Sequence, residues 1–117
     1  MKDHKDLDVW NKAMDLVENI YTCTKDFPKE EVYGLSSQIK RAVISVPSNI
    51  AEGAGRRGNK EFIQFLYISM GSLSEVETQI LLAKRLGFIE NVHNITQDII
   101  NIKQMLNGLI NYLNRKV

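Results

Sequence analysis

The feature that most constrains this chain is a long repeat of apolar residues near its carboxyl end. The residues recur at alternating steps of three and four along the sequence, and they are Val92, Ile95, Ile99, Ile102, Leu106, Leu109 and Leu113. Residues three and four apart lie on one side of an α-helix, so this spacing predicts a long amphipathic helix. An apolar seam of this length has to be packed against other helices.

Two earlier stretches show the same periodicity. The first runs from about Asp8 to Lys25, and the second runs from a start between Pro28 and Ser36 to about Gly53. The stripe of the first stretch is Val9, Ala13, Val17, Ile20 and Thr24, and that of the second is Leu35, Ile39, Val43, Val46 and Ile50. Both patterns fit a helix with one face turned toward a core.

A third stretch is apolar around most of its circumference. We expect Asn59 to cap it, Leu86 to lie at its end and Gly87 to terminate it. Its apolar residues are Phe62, Ile63, Phe65, Leu66, Tyr67, Ile68, Met70, Leu73, Val76, Ile80 and Leu81. A helix that is apolar on several sides is either a subunit interface or a central helix with wide core contact, and the sequence leaves both interpretations open.

The four patterns predict an all-α fold, an antiparallel up-and-down four-helix bundle. A chain of 117 residues has the usual size of one domain, so residues 1–117 are expected to form a single bundle. Short loops between long helices favour antiparallel neighbours. Pro47 lies inside the second pattern, lacks a backbone N–H and crowds the preceding turn, so we expect a proline kink or a break in helix 2.

Composition narrows the cellular setting. The chain is 44% hydrophobic and 25% charged, which is typical of globular proteins. Cys23 is its only cysteine, so no internal disulfide can form, and this favours a reducing compartment such as the cytoplasm. No stretch approaches the roughly 18 uninterrupted apolar residues of a membrane span. We therefore predict a cytoplasmic protein without a membrane partner.

The sequence offers few groups for catalysis. The only histidines are His4 and His93, and no serine-rich stretch has a histidine nearby to act as a base. Glu90 and His93 have the spacing of one half of a bundle di-metal site, but this spacing occurs only once. The sequence therefore predicts a protein that is not an enzyme and that carries no cofactor and no metal.

Charge is concentrated in one segment although the net charge is only +1. Residues 38–60 carry five cations and a single acid, a net charge of +4, and the cations are Lys40, Arg41, Arg56, Arg57 and Lys60. The acid, Glu52, is expected to pair with a nearby arginine or with an N–H group freed around Pro47. The glycines between residues 53 and 58 can present backbone N–H groups to an anion. These five cations are the candidate nucleic-acid-binding residues, and a flexible, solvated turn is the alternative.

Several stretches resemble one known family. Residues 34–42 (GLSSQIKRA) and 45–53 (SVPSNIAEG) resemble the signature of bacterial four-helix-bundle proteins encoded in intervening sequences of 23S rRNA genes. The resemblance continues in residues 8–13, in Phe27 and Pro28, and in residues 65–79 and 86–89, so it extends over nearly the whole chain.

This resemblance implies a four-helix bundle that assembles into a ring-like homopentamer. It also implies kinship with the accessory variability determinant of diversity-generating retroelements, a basic pentameric bundle that binds nucleic acid and a reverse transcriptase. Two functions follow as hypotheses. The first is a homo-oligomer that binds RNA or DNA through a repeated basic surface, and the second is a protein-interaction scaffold that binds no nucleic acid.

Overall fold

The computed structural model describes residues 3–117, and over this range it contains four long helices and no strand. The helices are α1, Asp8–Thr24; α2, Leu35–Ala54; α3, Asn59–Arg85; and α4, His93–Asn114, with short 3₁₀ turns at His4–Asp6 and Lys29–Glu31. The predicted all-α, four-helix fold is confirmed. None of the helices within the described range is long and apolar enough to cross a membrane.

Each helix packs against two others around one core. Helix α1 contacts α2 and α4, and α3 contacts the same two helices. All four helices contribute fully buried side chains to the core, among them Ile20, Ile39, Leu66, Leu73, Ile99 and Leu106. The resulting bundle is elongated, with extents of 46 × 23 × 19 Å.

Contacts between side chains give the relative directions of consecutive helices. Ser45 near the middle of α2 pairs with Ser72 of α3, whereas Gly53 at the end of α2 lies against Phe65. Residue numbers therefore fall along α3 as they rise along α2, which means that these two helices run in opposite directions. The up-and-down order of the complete bundle stays a prediction.

Helix α2 continues through Pro47 without a break. The proline is buried, and two polar side chains donate to the helix carbonyls that directly precede it. The Asn49 side-chain amide donates to the Ser45 carbonyl at 2.7 Å, and the Ser69 hydroxyl of α3 donates to the Val46 carbonyl at 2.9 Å. A break, one of the two outcomes expected here, is therefore wrong, while a kink stays a prediction.

The predicted cap at the start of α3 is wrong, and the predicted terminator at its end is confirmed. Gly58, in extended backbone, precedes the first helical residue, Asn59, and no side chain caps this end, so the predicted Asn59 cap is wrong by one position. At the other end Gly87 adopts a φ of +79°. Its N–H donates to the Lys84 carbonyl, and the N–H of the next residue donates to the Ala83 carbonyl. This bond pattern is a Schellman motif, so the predicted glycine terminator is confirmed.

The seam of α4 is confirmed with one shift. Six of the seven predicted residues are buried, but Leu109 is only partly buried, and Ile110 lies in the core beside it. A straight α-helix has 3.6 residues per turn, so a strict repeat of 3.5 residues drifts around the helix. The residue after Leu109 takes over its core position for this reason.

The apolar breadth of α3 exceeds what the core of one chain covers. Its core side holds Phe62, Ile63, Leu66, Leu73, Val76 and Ile80. Tyr67, Ile68, Leu81 and Leu82 remain exposed on other sides of the same helix. A central helix with wide core contact therefore does not account for all of its apolar residues.

Candidate nucleic-acid interface

The turn between α2 and α3 is held close to the bundle by Gly53. A Cβ atom at this position would lie 2.6 Å from the Cβ of Phe65, so only glycine lets the helices approach this closely. The N–H groups of Gly55 and Arg56 donate back to carbonyls at the end of α2. They are therefore not free for an anion. The N–H groups in the first turn of α3, in contrast, have no acceptor within the helix.

Three of the predicted cations lie at this turn. Arg56 forms an i,i+4 ion pair with Glu52 at 3.6 Å, which confirms the pairing expected for that acid. The guanidinium of Arg56 also lies over the Phe65 ring, 4.9 Å from its centroid. Arg57 and Lys60 are exposed, and neither forms a salt bridge with any residue in the described range. These two side chains are consequently the ones at the turn with charge available for a ligand.

The other two predicted cations lie far from the turn. Lys40 and Arg41 are about sixteen residues before Arg56, which at 1.5 Å per residue places them roughly 24 Å away along α2. The ammonium group of Lys40 lies over the Tyr21 ring of α1, 5.0 Å from its centroid. Arg41 is exposed. The structure therefore brings Arg56, Arg57 and Lys60 together and leaves the other pair as a separate patch.

Two further cations, Arg115 and Lys116, follow the last residue of α4. Lys103 of α4 forms an ion pair with Glu77 of α3 at 3.2 Å, and the connection between these helices is only residues 86–92. In the expected antiparallel order this pair would place Arg115, twelve residues after Lys103, level with Phe65 and roughly one and a half turns short of Lys60.

The other reactive groups show no constellation for chemistry. Burial, followed by the nearby carboxylate of Asp26, raises the pKa of the Cys23 thiol to about 11. A thiol with this pKa is protonated at neutral pH and is a weak nucleophile. Glu90 and His93 are both exposed, and no group of three or more potential metal-ligating side chains converges within residues 3–117.

The stretches that carry the family resemblance serve mainly to join α2 to α3. The Ser45 hydroxyl donates to the Ala42 carbonyl at 2.7 Å and is 2.5 Å from the Ser72 hydroxyl. Ser69 is fully buried and donates across the same contact, and Gly53 makes the closest approach. This part of the signature therefore marks a helix-packing seam, and Arg57 and Lys60 lie beyond its end, whereas exposed Arg41 lies within it.

Comparison with known proteins identifies one family. A family model described as 23S rRNA-intervening sequence protein matches residues 5–108, which is most of the chain. The match includes all five predicted cations and stops before Arg115 and Lys116. No curated protein matches the sequence.

Proposed function

We propose, from the premise that this chain belongs to the 23S rRNA-intervening sequence protein family, that it is a non-enzymatic homo-oligomer that binds RNA or DNA. The binding surface is the basic end of the bundle at the turn between α2 and α3, which comprises Arg56, Arg57 and Lys60. The resemblance to the family signature supports a ring-like homopentamer, and the single protonated thiol of Cys23 fits a role without catalysis.

The observation that carries this proposal is the position of exposed cations beside a helix amino terminus. Arg57 and Lys60 form no ion pair within the described residues, and the first turn of α3 has no side-chain cap. Unpaired N–H groups and the positive end of the helix dipole favour an anion there. Phosphate oxygens are such anions, and contacts to them do not depend on base sequence.

Assembly would multiply this weak surface. One basic end offers a few exposed charges, and each exposed ionic contact contributes little to affinity on its own. Copies of the same surface in one oligomer would bind one nucleic-acid strand together, because later contacts form at high effective concentration. Binding of this kind weakens steeply as salt rises, since counterions compete for the phosphates.

The test is fluorescence anisotropy with a labelled single-stranded RNA and a DNA duplex at low and at physiological salt. We expect binding at low salt that weakens as salt rises. The double variant Arg57→Ala, Lys60→Ala should weaken it by about tenfold or more, whereas the control Lys40→Ala, Arg41→Ala removes the same charge from the separate patch and should have a smaller effect. Absence of binding at low salt, or equal losses in both double variants, would contradict the proposal.

The second candidate function is a protein-interaction scaffold without nucleic-acid binding. It is favoured by the exposed apolar residues on α3, which a nucleic acid would not cover. The triple variant Arg56→Ala, Arg57→Ala, Lys60→Ala separates the two functions in a pull-down. Unchanged capture of a protein partner, together with no RNA or DNA binding by the wild type, supports the scaffold.

A further inference from the structure

Tyr67 is the one exposed aromatic residue of α3, and its ring has no partner. Its side chain is 56% exposed, and no aromatic or cation–π contact involves it within the described part of the chain. The other two tyrosines on helices are covered. The ammonium group of Lys40 lies over the Tyr21 ring, and that of Lys116 lies over the Tyr112 ring, 5.4 Å from its centroid.

A glycine one turn further along α3 leaves the ring of Tyr67 uncovered. Side chains on a helix lean back toward its amino end, so a side chain at position 71 would lie over the turn that carries Tyr67. At the same distance after Tyr112 stands Lys116, which covers that ring. Gly71 has no side chain, and a Cβ atom there would meet no atom within 4 Å. Glycine lowers helix stability relative to alanine, and no contact within the chain explains this one, whereas access to the ring does.

Tyr67 lies on the same side of α3 as the cation Lys60. Residues seven apart on a helix differ by only about 20° in direction, and at 1.5 Å per residue these two are roughly 10 Å apart along the axis. The exposed stripe that contains them carries no acid, and its members are Lys60, Gln64, Tyr67, Gly71, Ser74 and Thr78. Glu61, the nearest acid in sequence, lies about 100° away from Lys60 around the helix. The ring and the basic turn therefore form one surface.

A bare ring beside exposed cations fits an unpaired nucleobase. Bases stack on aromatic side chains, and this contact is tolerant of sequence because every base has a π-face. Inside a duplex each base is stacked between its neighbours, so a base has to be unpaired to lie flat on a tyrosine. Ile68, Leu81 and Leu82 are also exposed on α3, but aliphatic side chains offer no such face. The cations next to the ring favour a nucleic-acid strand over an apolar protein segment.

We infer that Tyr67 is a stacking platform for an unpaired base of single-stranded RNA or DNA whose phosphates contact Arg57 and Lys60. The inference deepens the proposed nucleic-acid binding and rests on it. The separation of roughly 10 Å between Lys60 and Tyr67 corresponds to about three nucleotides at the 3.4 Å rise of a stacked strand. One strand therefore contacts the basic turn with its backbone and reaches the ring with a base a few nucleotides away. The surface is expected to prefer single strands to duplexes.

The test measures binding of single strands and of a duplex by fluorescence anisotropy at low salt. The probes are a labelled, unstructured single-stranded RNA, a single-stranded DNA of the same sequence and the corresponding DNA duplex. We expect the wild type to bind both single strands more tightly than the duplex, and the strand that binds more tightly is assigned as the ligand. Tyr67→Ala should weaken single-strand binding by about fivefold to a hundredfold, because the stacking of one base is lost, and should change duplex binding by less than about twofold.

Conservative variants separate stacking from general packing. Tyr67→Phe keeps a ring and should bind single strands like the wild type, whereas Tyr67→Leu keeps only an apolar side chain and should lose as much affinity as the alanine variant. Tyr33→Ala is the matched control, because Tyr33 is 94% exposed and precedes the start of α2, at the opposite end of that helix from the basic turn. This control should leave binding unchanged. Circular dichroism should be the same for all of these variants, since both tyrosines are exposed.

Closing the space beside the ring is a second test. Gly71→Leu introduces a side chain that leans over Tyr67 without any clash inside the chain, and it should weaken single-strand binding by about fivefold or more while the helix content is retained. Gly108→Leu is its control. Gly108 lies in the interior of α4 and has equally open space above it, so this variant should bind like the wild type.

Salt dependence distinguishes the ring from the cations. In Tyr67→Ala the slope of log affinity against log salt should stay that of the wild type, because no phosphate contact is lost. In the double variant Arg57→Ala, Lys60→Ala the slope should become shallower by about two, one for each phosphate contact. A loss of folding or of assembly in Tyr67→Ala would instead change the slope together with the affinity.

Three results would overturn the inference while leaving the proposed nucleic-acid binding in place. If Tyr67→Ala and Tyr33→Ala bind single strands equally well, no base stacks on Tyr67. If Tyr67→Ala loses single strands and duplex to the same extent, the ring acts through the fold or through another contact. If the wild type binds the duplex as tightly as the single strands, the surface reads the backbone alone. Absence of binding to every probe at low salt would remove the proposed function and the inference together.

Discussion

The two faces of α3 differ in how their small residues are used. On the inner face, Gly53 of α2 lies against Phe65, and the buried hydroxyl of Ser69 donates to a carbonyl of α2. On the outer face, Gly71 has open space above it and lies between exposed Tyr67 and Leu81. The inner face shows what a finished helix contact looks like in this protein, and the outer face has similar residue types without a partner in the chain.

The comparison shows that the role of a small residue in a helix depends on which atoms, if any, pack against it. Packing density in protein interiors leaves no room for an added carbon at the closest contacts, whereas an exposed position accepts one. The inner face should therefore be intolerant of substitution, and the outer face should tolerate substitution in the monomer.

The largest effect is expected from a charge placed on the inner side of α3. Leu73 is fully buried, so Leu73→Asp would bring a carboxylate into the core without a partner and should unfold the domain. Leu106→Asp in α4 should do the same. Circular dichroism and thermal melting measure this, with Ile68→Asp on the outer face as control. Helicity and melting like those of the control would remove the distinction between the faces.

The next effect is steric. In Gly53→Val the new Cβ would lie 2.6 Å from the Cβ of Phe65 and 3.0 Å from a ring carbon of Phe62. Overpacking of this kind costs about 1–3 kcal/mol and sometimes more, so we expect the free energy of unfolding to fall by roughly 3 kcal/mol. Urea denaturation would measure it, and a change of less than about 0.5 kcal/mol would show that the α2–α3 contact yields easily.

A smaller effect is expected at the buried hydroxyl. Ser69→Ala removes the second donor to the Val46 carbonyl, which keeps its helical partner four residues on, so the loss is that of one ordinary hydrogen bond, about 0.5–1.5 kcal/mol. Ser74→Ala, at an exposed position of the same helix, is the matched control and should change stability by no more than about 0.5 kcal/mol. Equal effects in the two variants would mean that this hydrogen bond does not distinguish the inner face.

The smallest effect should have the opposite sign. Gly71→Ala adds a methyl group to open space and improves helix propensity, so the unfolding free energy of the monomer should rise by up to about 1 kcal/mol. Urea denaturation of the variant and of the wild type measures this directly. A loss of stability there would reveal an intramolecular role for Gly71 and would weaken the comparison.

The helices were predictable because their signals are local. The apolar repeat of α4 and the terminator Gly87 each depend on residues within a few turns, and both were placed correctly from the sequence. The cap of α3 was misplaced by one residue because Gly58 and Asn59 are both acceptable capping residues. Ile110 occupies the core position predicted for Leu109 because a straight helix has 3.6 residues per turn and not 3.5.

The candidate site was only partly predictable because it depends on the path of the chain. Charge counting found Arg57 and Lys60, and it also anticipated the ion pair that Glu52 forms with Arg56. It could not reveal that Lys40 lies over the Tyr21 ring of another helix, nor that Lys103 of α4 pairs with Glu77 of α3. Contacts of these kinds are set by tertiary packing and leave no local pattern.

The close contact at Gly53 has a consequence for the charges that follow it. Because the end of α2 touches α3 there, the four residues that join the two helices have little freedom to carry Arg57 away from the end of the bundle. The position of an exposed charge is therefore set by a contact that itself carries no charge, and a bulkier residue at position 53 would displace that charge without changing any cation of the sequence.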